Sequence, residues 1–131
     1  MKMIFEAEDA IVGIICGALV LGYAGKFFSL KLNPYAYAAA FIILIFFIFL
    51  DLFNEFKDLS SHFVFKVISI LHNLIDLIIS LAFISFFAGL KIAYVTDYLV
   101  PYFKSVQIIA GIGIFLVAAN VVWLFIFPFA E

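Results

Sequence analysis

Long apolar runs alternate along this chain with short polar stretches, and the runs are of similar length. A helix rises 1.5 Å per residue and a bilayer core is ~30 Å thick, so about 20 apolar residues cross it. Four stretches reach that length, which predicts spans at approximately 10–28, 35–55, 63–90 and 102–128. The strict alternation that a membrane-crossing strand would need is missing. Pro34 behind Asn33 suits the first turn of the second span, where a missing N–H costs nothing. Pro101 stands before the fourth span and Pro128 closes it. Between Pro34 and Gly89 there is neither glycine nor proline. One continuous helix there would be ~80 Å long, more than twice the membrane. The polar dozen "DLFNEFKDLSSH", Asp51 to His62, must therefore hold a reversal, near Ser60 and Ser61, which can cap the next helix. The expected fold is an all-α membrane protein, a single transmembrane domain over 1–131 with four transmembrane helices in an up-down antiparallel bundle.

Composition agrees. Of 131 residues, 69% are hydrophobic and 12% charged, whereas soluble domains are nearer half apolar and a quarter charged. A domain this small leaves much of its surface exposed, so the lipid bilayer is the expected partner. The opening "MKMIFEAED" is acidic where a signal peptide is basic, so the first span is expected to stay as an anchor. Four spans put the N-terminus, the 51–62 loop and the C-terminus on one side. That side carries Lys2, Lys57 and Lys66, and the other carries Lys26, Lys31, Lys91 and Lys104. The lysine excess favours the second side as the inner one, so both termini are expected outside. Acidic residues are more lopsided: Glu6, Glu8, Asp9, Asp51, Glu55, Asp58 and Glu131 on the first side, Asp97 alone on the second.

Several function classes drop out. Seven scattered lysines and no arginine make no nucleic-acid surface. The nucleophile-elbow, zinc-protease and phosphate-loop signatures are all missing, so no enzyme is expected. No cofactor is expected either. The two histidines, His62 and His72, lie ten residues apart in one helical region, which leaves a haem without a second axial ligand from the same chain. Cys16 is the only cysteine and reads as a packing residue.

Gly13, Gly17, Gly22 and Gly25 gather in the first span as candidate helix-packing positions. Gly13-xxx-Gly17 and Ala18-xxx-Gly22 would let backbones approach closely, within the chain or across a dimer. The second span's "FIILIFFIFL" is too bulky for a close crossing and is expected to face lipid. Tyr23, Tyr35, Tyr37, Tyr94, Tyr98 and Tyr102 fit an interfacial aromatic belt.

The candidate chemistry is a polar stripe. Asp51, Glu55, Asp58, His62, Lys66, Ser69, Asn73, Asp76 and Ser80 follow one another at intervals of three or four residues. On a helix they fall within roughly an 80° arc. His72 and Asp76 are i, i+4 neighbours about 14 and 20 Å into the third span, and Asn120 lies at a matching depth on the fourth. Ionisable groups at that depth are expensive and usually face a bundle interior. His72, Asn73, Asp76, Asn120, Ser69 and Ser80 are thus candidates for an ion or proton pathway, with Asp51, Glu55, Asp58 and His62 as its acidic vestibule. A structural hydrogen-bonded pair is the plainer reading of His72 with Asp76. Asp51, Glu55 and His62 have ligand types suited to Zn²⁺ or Mn²⁺, but the expected turn interrupts their geometry, and a metal is left open. Two functions follow: a small cation or proton pathway, working as a homo-oligomer or in a larger complex, or a non-catalytic subunit that docks a partner through the stripe.

Overall fold

The structure is a computed structural model, and it describes the backbone of residues 2–57 and 63–130, with the side chains of 2–8, 54–57, 63, 65 and 126–130 left undescribed. Most of the described residues are helical, and none of them is in a strand. Their elements are α1 (Lys2–Ala24), α2 (Pro34–Lys57), α3 (Phe63–Ala88), a short α4 (Val95–Tyr98), a 3-10 helix (Val100–Lys104) and α5 (Val106–Ala130). Three stretches are long and apolar enough to cross a membrane: Pro34–Phe53, Lys66–Ala88 and Val106–Phe125. The apolar part of α1, Asp9–Ala24, is shorter. Three such helices fit a membrane protein.

Local chemistry sets the boundaries. Gly25 and Gly89 take left-handed backbone angles, φ 70 and 71, and end α1 and α3. Asn33 Oδ1 accepts from Tyr35 N at 2.9 Å and caps α2. Two of the expected boundaries move. The first helix starts at Lys2 and stops at Ala24, not 28, because Gly25 turns it. The fourth long helix begins at Val106, not 102, because Pro101 lies in the 3-10 helix that precedes it.

α1 lies along both α5 and α2, and α2 lies along α3. Each pair runs antiparallel. Gly17 and Gly113 meet backbone to backbone: a Cβ on Gly17 would come within 2.9 Å of the Gly113 carbonyl oxygen. Gly13 in turn faces the Asn120 side chain. The Gly13-xxx-Gly17 pair is therefore occupied by α5 of the same chain. Gly22 lies under Phe28 and Leu30 of the following loop, and Gly25 is a helix stop, so neither packs two helices together.

Each long helix turns one stripe inward, at alternating steps of three and four residues. In α2 it is Tyr37, Phe41, Leu44, Ile48 and Asp51, and in α3 it is Ser69, Asn73, Asp76, Ser80, Phe83 and Phe87, all buried. This repeat is the seam of helices crossing at a shallow angle. The outward residues are apolar too, including Ile42, Phe46, Leu71, Ile75, Phe115 and Val122. The "FIILIFFIFL" run is thus split, with Phe41, Leu44 and Ile48 inside and its remaining bulky residues largely toward lipid. Tyr37 departs from the expected belt: it is buried, and its hydroxyl donates to Leu30 O at 2.8 Å.

Candidate functional site: a polar level inside the bundle

The inward stripes are not chemically uniform along their length. In one half of the bundle they carry rings. Phe41 stacks on Phe83, and Phe83 on Phe87 and Phe103, with ring centroids 4.6–5.8 Å apart. In the other half they carry Asp9, Asp51, Ser69, Asn73, Asp76, Ser80 and Asn120, each buried. All four long helices contribute to this second level.

The geometry fixes some of the roles. Asn120 Nδ2 donates to Leu116 O at 2.7 Å, which leaves Oδ1 as the acceptor facing His72 Nε2 at 3.2 Å. Asp76 Oδ2 stands 3.4 Å from the same nitrogen. Both neighbours accept, so Nε2 carries a hydrogen, and Nδ1 is left as the other ring position. Trp123 stacks over the imidazole with centroids 5.2 Å apart and planes inclined at 17°. His72 thus ties α3 to α5. On the opposite edge of α3, Asn73 Nδ2 donates to Asp51 Oδ2 at 2.5 Å and ties α3 to α2. Ser80 Oγ donates to Asp76 O within its own helix.

Other groups have no such use. Asp9 is wholly buried, and neither of its carboxyl oxygens has a hydrogen-bond partner. Asp51 and Asp76 lie near enough to repel it. Ser69 Oγ and Trp123 Nε1 are also buried without a partner. A buried polar atom without a partner costs about 1–3 kcal/mol, so Asp9, Ser69 and Trp123 each lower the stability of this core.

The structure redraws the expected site in three places. Asp51, expected at the aqueous mouth, is fully buried on the inner face of α2 because it continues the Phe41–Leu44–Ile48 repeat. Asp9, expected among the surface acids, belongs to the interior; it continues the face of Gly13, Cys16 and Val20 toward the start of α1, a signal present in the spacing. Trp123 was not singled out, although it extends the Leu116–Asn120 face by one step. His72, Asp76 and Asn120 do come together, whereas Asn73 turns to Asp51 of α2 instead, and Ser69 and Ser80 share the inward stripe of α3. The Glu55 side chain, Asp58 and His62 lie outside the described residues, and with them the Asp51–Glu55–His62 metal set. Among the described residues no three His, Cys, Asp or Glu side chains are grouped to hold a metal ion.

No protein-family model, curated protein or solved structure matches this chain, so the site is read from its own geometry alone.

Proposed function

We propose that the chain crosses the bilayer four times as an up-down bundle, with both termini outside, and that its polar level loads a proton or small monovalent cation. α1 has 23 residues and is ~34 Å long, enough to cross even though its apolar part is short. Asp9, the one charge described inside its crossing segment, is covered by the neighbouring helices.

The observation that carries the cation reading is Asp9. A carboxyl group wholly out of water, with no donor on either oxygen and two further carboxyl groups nearby, needs compensation by a proton or a cation. His72, with Nε2–H directed between Asn120 and Asp76, gives the level a second exchangeable position. The carboxyl and amide groups are confined to one half of the bundle, and stacked phenylalanines line the other. On this reading the level loads from the acidic side and the rings close it on the basic side. Release to the basic side requires the rings to part, in this chain or in a homo-oligomer assembled through another face than the Gly13–Gly17 pair.

The partner-docking reading has less support. The α3 part of its stripe, Ser69, Asn73, Asp76 and Ser80, is covered by the chain's own helices.

Proteoliposomes containing a pH-sensitive dye test the proposal. Wild-type protein should dissipate an imposed proton gradient faster than empty vesicles, and Asp9→Asn and Asp76→Asn should each abolish the difference. A sodium gradient read by a sodium dye separates the two cations. Wild-type vesicles as tight as empty ones to both ions, or unchanged flux in both variants, would overturn the reading.

A further inference from the structure

The seam between α3 and α5 differs from the others. His72 of α3 stacks on Trp123 of α5 at one end, Phe83 and Phe86 of α3 meet Phe103 of the 3-10 helix that leads into α5 at the other, and the α3 and α5 backbones do not pack closely. Where the backbones stand apart there is a cleft of about 240 Å³, lined by Ile78, Ile79, Ala82, Tyr102, Ile108 and Ile112 among others, with no polar surface. Ile78 and Ile108 at its rim are exposed, so the cleft opens on the outside of the bundle, between two segments long and apolar enough to cross a membrane. Its upper wall is the 3-10 helix, which ends at Lys104, and Lys104 is exposed.

We propose that this cleft binds an anionic phospholipid of the surrounding bilayer, one acyl chain lying between α3 and α5 and the head group held at Lys104. Charge complementarity favours that occupant. Lys26, Lys31, Lys91 and Lys104 are all at this end of the bundle, and Asp97 is the only acid there. An inner leaflet rich in anionic lipid attracts such lysines. A wholly apolar groove excludes a charged solute and accepts a hydrocarbon chain, while Tyr102, exposed at the rim, sits at head-group level. The inference rests on the membrane reading but not on cation loading, so either can fail without the other.

Protein purified in mild detergent is exchanged against mixed micelles of phosphatidylglycerol and phosphatidylcholine, and the retained lipid is read by native mass spectrometry. The wild type should keep one phosphatidylglycerol per chain in preference to phosphatidylcholine. Lys104→Gln should lower that preference by about fivefold, the worth of one lysine at an anionic surface. Ile108→Trp and Ile78→Trp, substitutions at exposed rim positions, fill the cleft and should lose the lipid altogether while keeping wild-type helicity by circular dichroism. Equal retention of the two lipids by the wild type would overturn the proposal, as would a retained lipid unaffected by either tryptophan.

Discussion

The two halves of the bundle core are built on the same repeat and filled with opposite chemistry. In the half toward Gly25 and Gly89, Tyr37, Phe41, Phe83, Phe87 and Phe103 stack ring on ring, and the one buried hydroxyl of the group has its partner. In the half toward the termini, small polar side chains take the same inward positions, and several of their atoms have no partner at all. Lipid tails are as apolar as a phenylalanine, so burial of apolar surface does not drive helices together inside a membrane; packing and hydrogen bonds do. The aromatic half therefore holds the bundle by contact. The polar half holds it through cross-helix hydrogen bonds such as His72 to Asn120 and Asn73 to Asp51, and carries further groups that weaken it. Stability is concentrated at one end and exchangeable chemistry at the other.

The strongest way to break this contrast is Phe83→Ala. It removes a ring stacked between Phe41 and Phe103 and leaves a void that the seam cannot close, for a loss of about 3 kcal/mol. Thermal unfolding in detergent reads that loss. The same variant should make proteoliposomes leakier to protons, because the rings are the closed half of the pathway. A stable, tight Phe83→Ala protein would show that the aromatic half is neither the anchor nor the seal.

Gly17→Val comes next, at about 2 kcal/mol, because its side chain would strike Val117 and the Gly113 carbonyl and push α1 off α5. Asn73→Leu should cost about 1–2 kcal/mol, since it takes the donor away from a buried Asp51 oxygen. Asp9→Leu should go the other way and raise stability by about 1 kcal/mol, because nothing is bonded to that carboxyl group. If Asp9→Leu proves as destabilising as Asn73→Leu, Asp9 is a structural residue and the contrast between the halves fails at its central point.

Much of this arrangement is legible in the sequence, and most of the errors share one cause. The inward turn of Ser69, Asn73, Asp76 and Ser80 follows from spacing on a single helix, because apart from Lys66, His72 and Ser85 everything else on that helix is apolar. Asp9 and Asp51 have the same spacing relative to Gly13 and Ile48, yet their closeness to a helix end suggests water. Nearness to an end does not decide exposure: a neighbouring helix that runs past the position covers it, and which helices are neighbours is a tertiary fact. Tyr37 shows the same effect at the other end, where the Leu30 carbonyl folds back to accept its hydroxyl. The Gly13–Gly17 pair was open to two partners for the same reason. A small-residue motif states that something approaches closely, but not whether that something is α5 of this chain or α1 of another. The 3-10 helix before α5 was hidden differently. Pro101 interrupts an otherwise apolar sequence whose hydropathy does not change, so a count of apolar residues runs straight through it.

The smallest expected effect is the most direct probe of the polar half. Trp123 is the only tryptophan in the chain and stacks on His72, so its fluorescence reports one site without any label. His72→Gln takes the stacked ring away from the indole and should change the emission in detergent. Trp123→Phe keeps a ring over His72 and discards an N–H that has no partner, so its stability should stay within about 0.5 kcal/mol of wild type. Comparison of proton flux in Trp123→Phe with wild type then separates two roles for the indole. Unchanged flux makes the ring a cover that keeps lipid off His72. A lost flux with stability intact would mean that the unpartnered N–H serves the loaded state, and the polar half would then reach one residue further along α5 than Asn120.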